Sequence, residues 1–206
     1  MQPEAYAQLT PEIIADRLRS APADPELAAL SRANPHLRKA AVLVPLLKSD
    51  GQWRILLTRR AEGLASHKGQ VAFPGGASEP GDTSLAATAL REAHEEIGLQ
   101  PRDAQVLGTM IERPTISRFM VTPVVALIPW PYPYKIAPEE VSRVFTIPLD
   151  WLAVTGNYEY RPRTSPDGFY ERVLYYQLYD GETLWGTSAR IALDLLRALK
   201  LLKSGD

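Results

Sequence analysis

The chain has 206 residues, with 24 acidic and 23 basic side chains, three His and no Cys. That length suits one domain whose core needs no disulfide or structural metal, and the lack of Cys excludes a disulfide framework, a thiolate nucleophile and a Cys-ligated zinc site. A net charge of −1 gives no global attraction for nucleic acid, and with no basic leader ahead of an apolar run and no long apolar span, a cytoplasmic protein without a membrane segment is expected.

In chain order, Pro11–Ser20 reads as a short amphipathic helix, with Thr10 as its N-cap and Pro11 at the first helical position. Pro22, Pro25 and Pro35 then break the run, so residues 1–37 read as a helical or irregular arm and residues 38–206 as the main domain. Segments 39–47 and 53–59 are apolar and of strand length, separated by a Lys-Ser-Asp-Gly turn that suits a hairpin. Further strands are expected at 104–112, 120–128, 143–147 and 173–178, and a closing amphipathic helix at 187–202. Between them, residues 129–140 carry four prolines and three aromatics, read as a rigid loop near the active site, with a polyproline II ligand for a partner as the alternative. Interleaved strands and helices give an α/β arrangement, with a mixed sheet between helices.

The segment that carries chemistry is FPGGASEPGDTSLAATALREAHEEIGL, residues 73–99. On a helix over residues 91–98, Glu92, Glu95 and Glu96 fall at i, i+3 and i+4 and share one face. Like charges that close repel, so the cluster points to a cation, and all-carboxylate donors point to a hard divalent metal. Ala86, Leu90, Ala93 and Ile97 form a separate apolar stripe, Gly98 is placed to end the helix, and Asp82 or Thr83 is placed to cap its start. The two glycines of the Phe-Pro-Gly-Gly run allow the backbone to approach a ligand closely.

Two stretches carry a resemblance to a known family. LREAHEEIGL resembles the second half of the Nudix box, in which Gly, five residues, Glu and seven residues precede Arg-Glu-aliphatic-x-Glu-Glu-x-Gly-aliphatic. Counting back from Arg91, the first Gly of that pattern falls on Ala77 and its isolated Glu, which helps hold the Arg, falls on Thr83; Asp82 or Glu79 stands nearby to take that part. LLTRRAEGLASHKGQVAFPGG, residues 56–76, is similar to the signature of the coenzyme A pyrophosphatase branch, except that Ala65 stands where the signature has Arg. YDGETLWGTSARI resembles that branch's closing segment, so the likeness runs over roughly residues 40–192.

The resemblance implies a Nudix α/β/α sandwich and a magnesium- or manganese-dependent pyrophosphatase. Its substrate would be coenzyme A or a derivative, split into 3′,5′-ADP and 4′-phosphopantetheine or its acylated form. A P–O–P linkage is shielded by negative oxygens, so a metal must neutralise charge and supply a hydroxide-like water. Glu92 and Glu96 are the first choice as direct ligands, with Glu95 close behind and the Gly76 carbonyl completing the shell. Arg91 can pair with Glu95 one turn on. For the general base Glu95 ranks first, with Glu139, Glu140 and Glu112 as alternatives. The extra phosphate of coenzyme A calls for cations, and Arg59, Arg60, His67 and Lys68 cluster ahead of the glycine loop. His94 is expected to face solvent, and His36 has no role. Two other readings stay open: hydrolysis of ADP-ribose or another nucleoside diphosphate derivative, and a Nudix-fold binding module without activity. A homodimer through the arm is also left open.

Overall fold

In a computed structural model of the chain, the described residues are 3–22, 24–63, 68–164 and 170–202. Three helices come first: α1 (Pro3–Ala7), α2 (Pro11–Ser20) and α3 (Pro25–Ala33). Thr10 caps α2 as expected, its side chain accepting from the Ile13 N–H. The proline-broken stretch after it holds a helix that the pattern reading missed. Asp24 caps α3 by accepting from the Glu26 and Leu27 N–H groups, with Pro25 in the first turn, so Pro25 starts a helix where it was taken to break one.

The strands and remaining helices are β1 (Arg38–Ser49), β2 (Gln52–Arg60), β3 (Val71–Ala72), β4 (Gly75–Ala77), α4 (Leu85–Ile97), β5 (Gln105–Thr109), β6 (Arg113–Pro114), β7 (Phe119–Leu127), β8 (Val141–Pro148), α5 (Leu149–Leu152), β9 (Tyr158–Thr164), β10 (Tyr170–Tyr176) and α6 (Gly186–Ala198). The first eight strands make one mixed sheet, in which β1 and β7 run parallel and the other pairings are antiparallel, while β9 and β10 form a separate hairpin. The β1–β2 turn places Asp50 and Gly51 at φ of 50° and 77°, the left-handed pair that a tight hairpin requires. The expected strand at 104–112 ends at Thr109: a register shift between Val106 and Gly108 bulges it, pairing with β7 resumes at Gly108 and Thr109, and β6 takes up the same edge from Arg113. The closing helix stops at Ala198, where Lys200 turns to φ 53° and the Leu199 carbonyl accepts from Arg17 of α2. The hairpin partner β9 was not foreseen at all.

Alternation along the strands covers both faces of the sheet. Ala40, Val44 and Leu46 of β1 pack with Ile14 and Leu18 of α2 and with Leu193 and Leu196 of α6, whereas Ala41, Leu43 and Leu47 pack with Ala89, Ala93 and Ile97 of α4. The result is the expected sandwich of helices around a mixed sheet. Among the described residues no helix is long and apolar enough to cross a membrane.

One irregularity of this sheet creates the site. β2 pairs with β1 only from Leu46 to Ser49, then splays away toward β3, while β4 takes over the vacated edge of β1 from Ala40 to Val42. Phe73 and Pro74 bridge the gap, with the Pro74 carbonyl accepting from the Leu43 N–H. The glycine loop is thereby held inside the sheet, against the helix that carries the glutamates.

Candidate active site

The apolar stripe of α4 seats it on the sheet, with Ala89, Ala93 and Ile97 fully buried, and this turns its acidic face toward β4. The helix starts one or two residues later than expected. Ser84, not Asp82 or Thr83, is the cap and accepts from the Ala87 N–H. Asp82 is committed elsewhere: its carboxylate accepts from Nε (3.0 Å) and Nη2 (3.2 Å) of Arg91, from the Thr88 hydroxyl (2.8 Å) and from the Glu79 N–H (2.9 Å). Of the two neighbours considered for holding Arg91, Asp82 does so, and these bonds keep its carboxyl well below the usual carboxylate range. Gly98 ends the helix in the left-handed conformation at φ 71°.

Arg91 also donates to the Ala77 carbonyl at 3.0 Å, and its Nη1 lies 3.0 Å from Glu92 and 2.8 Å from Glu95. One guanidinium thus ties the loop, its anchoring aspartate and two of the three glutamates together. The glutamates differ in surroundings. Glu95 is half exposed at 51 % of its side chain and turned to Arg91, whereas Glu96 is 2 % exposed. Burial pushes the Glu96 carboxyl up to about 8; the Gly75 N–H and Arg60, 3.8 Å away, only partly offset burial and the charges of Glu92 and Glu140. Glu92 is raised as well, first by burial, and Arg91 works against the rise.

Among the described residues no three acidic or His side chains converge as a ready cage for a metal. The donors present nevertheless suit one kind of ion. Magnesium and manganese accept one or two protein carboxylates and take the rest of their shell from water and substrate phosphates. Glu92 and Glu96, one helical turn apart on α4, supply two oxygen donors. Gly76 fits the same arrangement, because a Cβ there would lie 2.5 Å from the Glu92 carboxylate. The obstructing atoms end a flexible side chain, so Gly76→Ala should fold normally and swing that carboxylate aside. A turnover loss of about tenfold or more with an unchanged melting temperature is expected, and full activity would show that this contact is unimportant.

The loop at 129–140 closes over the C-terminal end of α4. The Lys135 N–H donates to the Ile97 carbonyl and the Ala137 N–H to the Glu96 carbonyl, which brings the charge of Glu140 to bear on both Glu92 and Glu96. Glu139 is exposed. Glu112 is held between the hydroxyls of Ser31 and Thr122, at 3.1 Å each.

From β4 a cleft of about 830 Å³ runs to the β9–β10 hairpin and the start of α6. Arg60 lines it beside Glu96, with a buried Nε that donates to no described protein group. Arg59, on the other face of β2, is ion-paired with Glu62 at 2.8 Å and Glu182 at 3.5 Å and does not line the cleft. Lys68 is exposed and also outside it, and His67 lies outside the described residues, as does Ala65. His94 and His36 are exposed. Four further arginines of the cleft, Arg113, Arg163, Arg172 and Arg190, were not singled out in the sequence. For Arg163 and Arg172 the available signal was the alternation of Arg with aromatics in YEYRPRT and YERVLYY, whereas Arg113 and Arg190 lie outside those segments.

Comparison with known proteins bears on the same segment. A family model described as NUDIX domain matches residues 37–167. A protein named Uncharacterized Nudix hydrolase NudL from Enterobacter sp. (strain 638) is 38% identical over 166 residues, covering 81% of this chain and 85% of its own. Its namesake in Salmonella paratyphi B is 41% identical over 162 residues, covering 77% and 81%. A MutT/nudix family protein from Enterococcus faecalis aligns in structure with a TM-score of 0.53 over 90% of this chain and 73% of its own, at 16% identity, which speaks to the fold alone. With the family model spanning the glycine loop, the acidic helix and most of the sheet, and with relatives matched over four-fifths of their length, the chain belongs to the Nudix family of hydrolases, which act on nucleoside diphosphate derivatives.

Proposed function

We propose that this Nudix hydrolase splits coenzyme A or a derivative into 3′,5′-ADP and 4′-phosphopantetheine, or its acylated form. The observation that carries the reading is the charge of the cleft. Five arginines line it and, among the described residues, no carboxylate does, so it suits a ligand with more phosphate than one diphosphate linkage. The similarity of residues 56–76 to the coenzyme A pyrophosphatase signature supports the same substrate, and the 1–37 arm is read as support for the 38–206 domain.

In this reading Glu92 and Glu96 hold the magnesium or manganese, with the Gly76 carbonyl and then Glu95 completing the set. A bound ion of that kind neutralises the phosphate oxygens and activates a water for attack. Arg91 fixes Glu92 and Glu95 relative to the loop, through its bonds to Asp82 and the Ala77 carbonyl. Arg60 directs its buried donor at the scissile diphosphate, close to Glu96. Glu95 takes the proton from the attacking water, Arg91 orienting its carboxylate. Arg59, His67 and Lys68 add positive charge at the approach to the site.

Mass analysis of products decides the assignment. Incubation with coenzyme A and magnesium or manganese should yield phosphopantetheine and 3′,5′-ADP in equal amounts, and their absence would sink it. A parallel kcat/KM series with ADP-ribose and other nucleoside diphosphate derivatives should rank coenzyme A first.

A further inference from the structure

At the end of the cleft away from α4, two guanidinium groups share one ring. The Arg172 guanidinium carbon lies 5.3 Å from the centroid of Tyr160 and that of Arg190 lies 5.1 Å from it, while Arg190 also donates to the Tyr160 hydroxyl at 3.0 Å. Arg163 extends the wall, 5.8 Å over Trp185, whose ring stacks on Tyr175 at 5.4 Å and 5°. Aromatic faces hold the cations in place without cancelling their charge. Among the described residues Asp194 is the carboxylate whose charge reaches Arg190, and it is bonded to Arg113 through Nε at 2.7 Å and lies 3.5 Å from Arg197. Arg60 faces Glu96 at the other end. Among the described residues no carboxylate is ion-paired with Arg172, and its guanidinium stands with that of Arg190 on the same cleft as the hydroxyl-bearing Thr187 and Ser188.

We propose that Arg172 and Arg190, with Arg163 beside them, form a second anion subsite that takes a phosphomonoester carried by the nucleoside of the substrate, remote from the scissile diphosphate. The planar guanidinium forks match phosphate oxygens, and the half-buried Tyr160 keeps both forks in place when the site is empty of substrate. The subsite rests on the reading above, since of the candidate substrates coenzyme A bears such a group and ADP-ribose does not. It makes this wall the determinant of selectivity, with the chemistry left to α4.

The test compares coenzyme A with 3′-dephospho-coenzyme A in the wild type, Arg172→Gln and Arg190→Gln, alongside calorimetric titration of 3′,5′-ADP and 5′-AMP into each protein. The wild type should favour coenzyme A by on the order of 10- to 100-fold in kcat/KM and bind 3′,5′-ADP more tightly than 5′-AMP by a similar factor. In both variants that ratio should collapse toward one, through KM more than kcat. Arg172 is exposed, so its variant guards against a fold defect at Arg190. A ratio retained in the variants, with both substrates losing equally, overturns the subsite. Wild-type hydrolysis of coenzyme A without preference for the 3′-phosphate also overturns it and leaves the proposed function standing. Failure to hydrolyse coenzyme A, with Arg172-dependent discrimination between 3′,5′-ADP and 5′-AMP, sinks the proposed function and upholds the subsite.

Discussion

Glu96→Gln is expected to lower kcat/KM on the order of 10³-fold, equivalent to about 4 kcal/mol of transition-state stabilisation, with the fold intact. The amide keeps the size of the side chain and one acceptor oxygen but loses the charge, and the site is proposed to use that charge to hold its metal. Stability should move the other way. Glu96 is 2 % exposed and its carboxyl is raised from 4.5 to about 8, so the folded metal-free protein retains a proton there that the unfolded chain has released. Its stability accordingly falls as pH rises from about 4.5 toward 8, by at most about 1.4 kcal/mol per pH unit. The Gln variant has no proton to lose and should show none of this slope. Magnesium or manganese should restore the wild type at the upper end of the window and leave the variant's melting temperature where it was. Calorimetry across pH, with and without metal, checks each part. Unchanged turnover in Glu96→Gln would refute the metal-site assignment.

Asp82→Asn should reduce kcat by roughly 10- to 100-fold while changing KM less, although Asp82 touches no substrate in this reading. The carboxylate accepts four hydrogen bonds, two of them from Arg91, and an amide can satisfy only part of that set. Arg91, released from one side, no longer fixes Glu92 and Glu95 against the glycine loop. The melting temperature should fall too. Since Arg91 depresses the Asp82 carboxyl, the wild type gains stability from it above the ordinary Asp range and loses it only as pH drops below that range. The difference between wild type and variant should therefore be full at neutral pH and shrink in strong acid. A variant with wild-type kcat would show that Arg91 is positioned by its other partners alone.

Much of the site was legible because it is local. Glu92, Glu95 and Glu96 share a face through helical spacing alone, the Asp50-Gly51 turn follows from its residue types, and Gly98 ends α4 as a residue without a Cβ readily does. The cap was misplaced by one or two residues for a physical reason. Asp82, Thr83 and Ser84 are all competent caps, and the choice falls on Ser84 once the Asp82 carboxylate is engaged by Arg91 and Thr88. The short helix α3 carried its signal in Asp24-Pro25, but the neighbouring prolines obscured it.

The sequence by itself determined the shared acidic face of α4, the hairpin turn and the glycine loop, since spacing and backbone preference act over a few residues. Tertiary structure decided what surrounds them. The splaying of β2 from β1 seats the glycine loop against the glutamates, and burial distinguishes Glu96 from the half-exposed Glu95. The same packing turns Arg60 into the cleft and leaves Arg59 paired on the other face. Arg113, Arg163, Arg172 and Arg190 come from β6, the β9–β10 hairpin and α6, far apart in the chain, and become one positive wall only where the hairpin and helix meet the sheet. Local pattern cannot carry such a contact, because it is fixed by the packing of distant elements rather than by the residues beside it.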